Sequence, residues 1–137
     1  MPPRADDPRL VSVAREFLLE MQECVRAVDF ERARALFADD VVAFGTFASV
    51  VSGRELLEAQ QWRNIWPVIQ DFRFRLTDLR CLGTSEAVCV VVGWDSLGRR
   101  ADGSTFDRPG RATLLLAPRD GRYVALHSHF SLAPATG

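Results

Sequence analysis

The first half of the chain carries apolar residues at the spacing of amphipathic helices. Over residues 8–28 they recur every three or four positions, which places them on one helical face. A second, short helix is predicted over 29–37, because Asp29 can accept hydrogen bonds from the amides of a first helical turn. A third helix is predicted over 55–66 and is expected to end at Pro67.

The second half of the chain has the pattern of strands. β-branched and aromatic residues predict one early strand over 41–47 and four later strands separated by turn-forming residues. The later strands are predicted over 71–82, 86–97, 105–117 and 122–132. Helices followed by consecutive strands indicate an α+β fold, with the helices packed on one face of a curved, mostly antiparallel sheet.

Alternation within the last two strands divides their side chains between the two faces of the sheet. One face is mostly apolar, and the other carries both histidines of the chain. The apolar face, which we expect to pack against the helices, comprises Ala112, Leu114, Leu116, Val124, Leu126, Ser128, Phe130 and Leu132. The opposite face comprises Tyr123, Ala125 and four residues expected to be structural or at an interface, namely Arg111, His127, His129 and Ser131.

The composition is that of one soluble domain of ordinary size. The chain has 137 residues, of which 47% are apolar and 26% charged, and its formal net charge is -1. We therefore expect one domain over residues 8–137, preceded by a flexible tail over residues 1–7. No lysine occurs among the basic residues, which excludes Schiff-base chemistry on a lysine.

Charge and hydropathy argue against several kinds of partner. The 17 basic residues are balanced by 18 acidic residues, so no surplus of positive charge favours nucleic acid or an anionic membrane surface. No run of about 18 apolar residues occurs, so no membrane-spanning helix is expected. Cys24, Cys81 and Cys89 are odd in number and lack the spacing of a metal site, which indicates reduced thiols in a cytoplasmic protein.

The order of the elements resembles that of the cone-shaped nuclear transport factor 2-like superfamily, which includes ketosteroid isomerase and the SnoaL-like polyketide cyclases. Within that superfamily, the chain is most similar to the association domain of calcium/calmodulin-dependent protein kinase II and its bacterial SnoaL-like relatives, with Tyr123 where a Trp is usual. The matching residues are Asp29, Phe30, Glu31, Ala43, Phe44, Gly53, Asn64, Ile65, Trp66, Arg119, Asp120, Gly121, Tyr123, His127, His129, Ser131, Ala133 and Pro134. The resemblance spans residues 10–134 and implies N-terminal helices packed on a strongly curved sheet.

The functional residues of those relatives are not carried over. By the resemblance, the catalytic base of ketosteroid isomerase falls on Gly45 and its helical tyrosine on Met21, so ketosteroid isomerisation is not expected. The arginines that line the kinase association-domain pocket fall on Leu114, Phe130 and Gly93, so a bidentate carboxylate clamp is not expected either.

An apolar cavity between helices and sheet follows from these assignments. Its expected lining is Phe44, Trp62, Trp66, Phe74, Leu114 and Phe130, with Ser128 as a polar group. Trp62 and Trp66 lie one helical turn apart, a spacing that serves core packing as well as the stacking of a planar ligand. The expected ligand is an uncharged apolar or aromatic small molecule, without a cofactor.

Two polar features have both structural and chemical interpretations. His127 and His129 stand two positions apart on one strand, which suits two ligands of a metal, a hydrogen-bonded structural pair, or a general acid or base at His129. Because no third ligand is near in sequence, no metal is predicted. Asp95 near the end of its strand is either a solvated carboxylate or a buried base.

The residues favour a small-molecule-binding protein, compatible with a cofactor-independent SnoaL-like enzyme, and they name no reaction. The alternative is an oligomerisation or accessory module similar to the kinase association domain. In both cases a homodimer is predicted, because a sheet covered by helices on one side leaves semi-apolar residues on the other.

Overall fold

The computed structural model describes residues 6–134 and begins with the long helix that the sequence predicts. This helix, α1, spans Pro8–Ala27 and is capped by Asp7, whose Oδ1 accepts a hydrogen bond from the Arg9 amide at 2.9 Å. Val28 ends the helix in the left-handed conformation. The buried face of α1 comprises Leu10, Ala14, Phe17, Leu18, Met21, Cys24 and Val25, as the periodicity predicts.

The next helices are shorter or less regular than the sequence pattern suggests. α2 spans only Phe30–Arg34, because the chain enters the sheet at Phe37. The third helix changes pitch three times: α3 (Arg54–Leu57) leads into a π-helical turn (Glu58–Trp62), α4 (Arg63–Ile65) and a 3-10 turn (Trp66–Val68). Pro67 therefore does not end the helix at once, because the first positions of a 3-10 turn tolerate a missing amide.

The strands form one mixed sheet in the order β2-β1-β7-β6-β4-β3, with β5 beside β4. Their bounds are β1 (Phe37–Phe44), β2 (Val51–Ser52), β3 (Ile69–Thr84), β4 (Ala87–Arg99), β5 (Thr105–Asp107), β6 (Gly110–Arg119) and β7 (Arg122–Leu132). β1 and β7 pair in parallel, and the other pairs are antiparallel. The predicted α+β fold with a mostly antiparallel sheet is confirmed.

The predicted strand bounds are one or two residues off at β3 and β4, and they are wrong by more at two places. β1 spans Phe37–Phe44 instead of residues 41–47. Its start was missed because Asp39 and Asp40 fall at an irregularity in the pairing with β7 and remain exposed. The predicted strand 105–117 is two strands, β5 and β6, joined by Arg108 and Pro109. Proline has no amide to donate to a ladder, which explains the break.

The last strand does not alternate strictly. The pairing of β6 with β7 shifts between Leu115 and Leu116, so that Leu116 faces Ala125 and Leu126 falls at the irregularity. As a result Ala125 is fully buried in the core, whereas Leu126 is only half-buried. For the residues before Leu126 the predicted faces are therefore wrong, because Tyr123 packs against the core. For the residues after Leu126 the predicted faces are correct, because Phe130 packs against the core.

The core lies between the helices and the inner face of the sheet. β6 supplies Ala112, Leu114 and Leu116 to it, as the alternation predicts. α1 and the residues just before it are hydrogen-bonded to β3 at two places. The Phe74 amide donates to Oε1 of Gln22 on α1 at 2.9 Å, and the Asp6 amide donates to the Cys81 carbonyl at 2.7 Å. Residues 1–5, which make up most of the predicted N-terminal tail, lie outside the described residues.

Candidate functional site

A small cavity opens between α1, the third helix and the inner face of the sheet. Its free volume is about 40 Å³. Met21 and Val25 of α1 form one wall, and Trp62 and Trp66 of the third helix form another. On the measure by which one water needs roughly 10–15 Å³, the space corresponds to about three water molecules. In this conformation the cavity is therefore narrow and mainly apolar.

Most of the residues predicted to line a cavity do so. Trp62, Trp66, Ser128 and Phe130 border the space, together with Phe44. Two predicted residues, Phe74 and Leu114, do not border it. Phe74 lies behind the wall, where its ring contacts the rings of Phe72 and Phe130 with centroids 5.0 and 6.2 Å apart. Leu114 is fully buried beside Ser128, its partner on β7.

The aromatic wall is a continuous stack. The rings of Trp62 and Trp66 are parallel to within 17°, with centroids 4.9 Å apart. Phe30 stacks on the outer side of Trp66 at 5.4 Å, and the ring edge of Phe37 meets Trp62 at 4.9 Å. Aromatic contacts of this kind fix the ring positions. Contacts among these four rings therefore hold the aromatic wall in place.

The π-helical turn directs a polar side chain toward the cavity mouth. A π turn adds one residue to a helical turn, and here Glu58, Gln61 and Trp62 are all buried. Gln61 Oε1 accepts hydrogen bonds from the amides of Phe47 at 2.9 Å and Ala48 at 2.7 Å, which fastens the loop after β1. Gly45 makes room for this arrangement, because a Cβ at Gly45 would overlap the Gln61 amide group.

The opposite side of the sheet holds the predicted interface residues. There His127 Nδ1 lies 2.8 Å from the Val42 carbonyl, so Nδ1 carries the proton and donates. The ring of Phe44 stacks on His129 with centroids 4.1 Å apart, so its ring belongs to this outer face although the residue borders the cavity. Burial lowers the pKa of His129, and the nearby charges of His127 and Arg111 lower it further.

Asp95 also lies on the outer face, where it is paired. Its carboxylate accepts from Arg75 Nη1 at 2.7 Å, and Arg73 lies 3.6 Å away. The guanidinium of Arg75 covers Gly93, where a side chain would overlap it. A side chain at Gly93 would therefore lie on the outer face, and Gly93 does not border the cavity. Arg111 lies on the same face, with Nε donating to Ser131 Oγ at 3.3 Å.

The described part of the cavity wall contains no conventional acid or base. Within residues 6–134, no His, Asp, Glu, Cys or Tyr borders it. Gly45 and Met21, the positions that correspond to the base and tyrosine of ketosteroid isomerase, do border it and offer no proton-transfer group. In the same described range, no three His, Cys, Asp or Glu side chains are grouped so as to hold a metal ion.

The sequence pattern did not reveal Arg108, the only charged residue that borders the cavity among residues 6–134. It lies in the connection between β5 and β6, where the Ser96 hydroxyl donates to its carbonyl at 2.7 Å and its own amide donates to the Ser96 carbonyl at 2.8 Å. Nη2 donates to Thr46 Oγ1 at 2.8 Å. Burial lowers the pKa of Arg108. One sequence feature could have indicated this connection: the Pro109-Gly110 pair lies inside the predicted strand 105–117 and is typical of a turn.

Arg108 lies beside Trp94, which the sequence analysis placed in a strand but not in the cavity wall. The guanidinium carbon is 5.6 Å from the centre of the indole ring. Trp94 is 1% exposed, and its Nε1–H has no hydrogen-bond partner among the described residues. Gly110 allows this ring position, because a Cβ there would overlap the indole.

Comparison with known proteins places the chain within a recognised family. Residues 14–136 match the family model described as the SnoaL-like domain. No curated protein shows significant sequence similarity to the chain. Among the described residues, no helix is both long enough and apolar enough to cross a membrane.

Solved structures share the fold at low sequence identity. A nuclear transport factor 2-like superfamily protein from Salmonella enterica serovar Typhimurium has a TM-score of 0.79 at 15% identity, with 95% of each chain covered. A ketosteroid isomerase-like protein from Erwinia carotovora atroseptica has a TM-score of 0.75 at 12% identity, covering 91% of this chain and 97% of that one. A candidate calcium/calmodulin-dependent protein kinase II association domain from Xanthomonas campestris has a TM-score of 0.70 at 16% identity, covering 95% and 90%.

Proposed function

Because the chain belongs to the SnoaL-like domain family, we propose that it binds a small, largely apolar or aromatic molecule in the cavity between its helices and its sheet. One observation carries this proposal: all three tryptophans of the chain border that cavity. Pockets for small molecules combine apolar and aromatic walls with a few polar groups, and this cavity has that composition.

The absence of an acid or base from the described cavity wall supports binding rather than proton-transfer catalysis. The volume of about 40 Å³ restricts the ligand to a small molecule, or requires the loop after β1 to move outward when a larger one enters. The side chains of Phe47 and Val50 in that loop are exposed, so an outward movement would have to break only the hydrogen bonds from the Phe47 and Ala48 amides to Gln61 and the loop's own contacts.

Intrinsic fluorescence tests the proposal directly, because every tryptophan of the chain reports on the cavity. We expect single-ring aromatic compounds to change the emission in a saturable way and to raise the melting temperature. Phe130→Ala should weaken this binding by removing a wall contact. Phe47→Ala is the matched control, since Phe47 is 65% exposed and does not border the cavity. No saturable change with any compound would refute the proposal.

The thiols favour a reducing compartment, and we propose a cytoplasmic location. Cys24, Cys81 and Cys89 are all unpaired. Burial raises the pKa of Cys24 and raises that of Cys81 to about 11, which keeps both thiols protonated and unreactive.

A second candidate function is self-association through the outer face of the sheet. Val42 and Val91 are 43% and 41% exposed there, beside the stacked rings of Phe44 and His129. The similarity to a candidate kinase association domain also favours an oligomer. We propose that a second copy of the chain covers this face in a homodimer.

Light scattering at micromolar concentration tests this second proposal. The unchanged chain should be a dimer or a larger even-numbered assembly, and Val91→Glu should shift it to monomer by placing a charge in the covered face. Val50→Glu is the control, because Val50 is 67% exposed in the loop after β1. A monomer at every concentration would refute the homodimer.

A further inference from the structure

One end of the cavity presents hydrogen-bond donors that lack acceptors. Arg108 is the only charged residue that borders the cavity among residues 6–134, and no carboxylate of that part of the chain forms an ion pair with it. Within the described range its side chain forms one hydrogen bond, to Thr46 Oγ1 at 2.8 Å. A guanidinium carries five N–H donors, so most of its donors are left unused by the protein.

The hydroxyl of Thr46 is a further donor at this end. Thr46 Oγ1 accepts one hydrogen bond from Arg108 Nη2 and a second from Gln61 Nε2 at 3.0 Å. A hydroxyl oxygen has two lone pairs, and both are thereby occupied. The Thr46 hydroxyl can therefore form one more hydrogen bond, and in that bond it is the donor.

Trp94 provides an independent observation that points to a ligand. Its indole N–H is buried, lacks a partner within the described residues, and belongs to a cavity-lining side chain. Buried polar groups in folded proteins are nearly always paired, and an unpaired one calls for an absent acceptor. The Arg108 guanidinium, the Thr46 hydroxyl and the Trp94 indole N–H therefore belong to residues that border one small space, whose other polar side chains among residues 6–134 are the amide of Gln61 and the hydroxyl of Ser128.

The charge and size of the space define the class of acceptor. A half-buried guanidinium without a counter-ion is costly, and a single negative charge offsets it. A carboxylate has two oxygens in one plane, which fit the guanidinium fork. The rest of the wall is apolar and aromatic, so the group attached to the carboxylate must be apolar as well.

We propose that the ligand of this cavity is a small monocarboxylate with an apolar or aromatic body, whose carboxylate is bound by Arg108, Thr46 and the Trp94 indole N–H. This inference rests on the proposed ligand-binding function and names its ligand class. It replaces the expectation from the sequence that the cavity prefers uncharged compounds. That expectation considered only strand positions, whereas Arg108 reaches the cavity from the β5–β6 connection.

Matched pairs of carboxylates and amides test the proposal on the full chain. The probes are benzoate with benzamide and propionate with propionamide, followed by tryptophan fluorescence and by calorimetry. We expect each carboxylate to bind about tenfold or more tightly than its amide, since hydrogen bonds to charged groups exceed neutral ones. Arg108→Gln should weaken carboxylate binding much more than amide binding, and so remove most of that preference.

Two further variants keep the result interpretable. Arg15→Gln removes an exposed arginine elsewhere, on α1, and should leave both affinities unchanged. Arg108→Lys keeps the positive charge but lacks the planar guanidinium, so it should weaken carboxylate binding severalfold. This variant replaces Arg108→Gln in the test if Arg108→Gln unfolds below the assay temperature.

The outcomes separate the two proposals. If amides bind as tightly as carboxylates, or if neither Arg108 variant alters carboxylate affinity, the monocarboxylate proposal is wrong and the ligand-binding function stands. If neither member of any pair binds by either method, both proposals are wrong.

Discussion

Glu58 is the best-defined electrostatic centre of the structure, and Glu58→Gln is expected to destabilise the fold. Its carboxylate lies in the π-helical turn and accepts from Arg34 Nε at 2.6 Å and Nη2 at 2.9 Å. Arg63 Nε and Nη2 donate to the same carboxylate at 2.9 and 2.7 Å. These bonds stabilise the turn that carries Gln61 and Trp62, two residues of the cavity wall. Losing the bonds is therefore expected to disturb the wall as well.

The magnitude follows from the pKa of the carboxyl group. The hydrogen bonds from Arg34, opposed by burial and assisted by those from Arg63, lower the pKa of Glu58 from 4.5 to about 2. At about 1.36 kcal/mol per unit of pKa difference, the lowered pKa corresponds to ~3 kcal/mol of folding free energy. The side chains of Arg34 and Arg63 are 45% and 52% exposed, so solvent screening reduces the value. We expect Glu58→Gln to lower the free energy of unfolding by about 1–2 kcal/mol at neutral pH.

The pH dependence has a definite sign. Because the folded-state pKa of Glu58 is lower than the unfolded value, the charged carboxylate stabilises the protein fully above pH 4.5. The contribution is lost as the pH falls from 4.5 through about 2. The difference in stability between the unchanged protein and Glu58→Gln should therefore shrink to about half or less by roughly pH 3.

Urea unfolding of both proteins across this pH range is the measurement. Glu55→Gln is the matched control, because Glu55 is exposed and forms no ion pair among the described residues. A stability difference for Glu58→Gln that stays constant from neutral pH to pH 3 would mean that packing, and not charge, accounts for the loss.

Three further outcomes are expected. Gly110→Ala should cost about 1–3 kcal/mol and alter tryptophan emission, because the added Cβ overlaps the Trp94 ring; unchanged urea unfolding and emission would contradict this reading. A β,γ-unsaturated ketosteroid should not be isomerised above the buffer rate, since Gly45 and Met21 provide no base and no oxyanion donor, and clear turnover would show that another residue does so. Thermal melts with and without a chelator should coincide, and stoichiometric zinc bound to His127 would overturn that expectation.

Local pattern was sufficient for much of the fold. The three- and four-residue spacing of α1 predicts its buried face, because side chains at that spacing share one side of a helix. Alternation likewise predicts the burial of Ala112, Leu114 and Leu116 on β6. These assignments depend on neighbours within one element, and a single sequence contains that information.

The strand faces show where pattern alone fails. Strict alternation places Leu126 inside and Ala125 outside, but the irregular pairing with β6 reverses this at the start of β7. A bulge depends on how two strands meet, and β7 itself carries no residue that marks it. The same limit applies to Phe44, whose ring orientation follows from the parallel pairing of β1 with β7.

The cavity residues likewise fall into two groups, those that the sequence pattern predicts and those that it does not. Trp62, Trp66 and Phe130 are evident from the sequence as large apolar residues on faces that turn inward. Arg108 and Thr46 are not, because they lie 62 positions apart in two irregular connections, where no periodic pattern indicates direction. Only the folded sheet brings the two connections to one end of the cavity. The apolar wall is thus a property of local sequence, whereas its polar end exists only through tertiary structure.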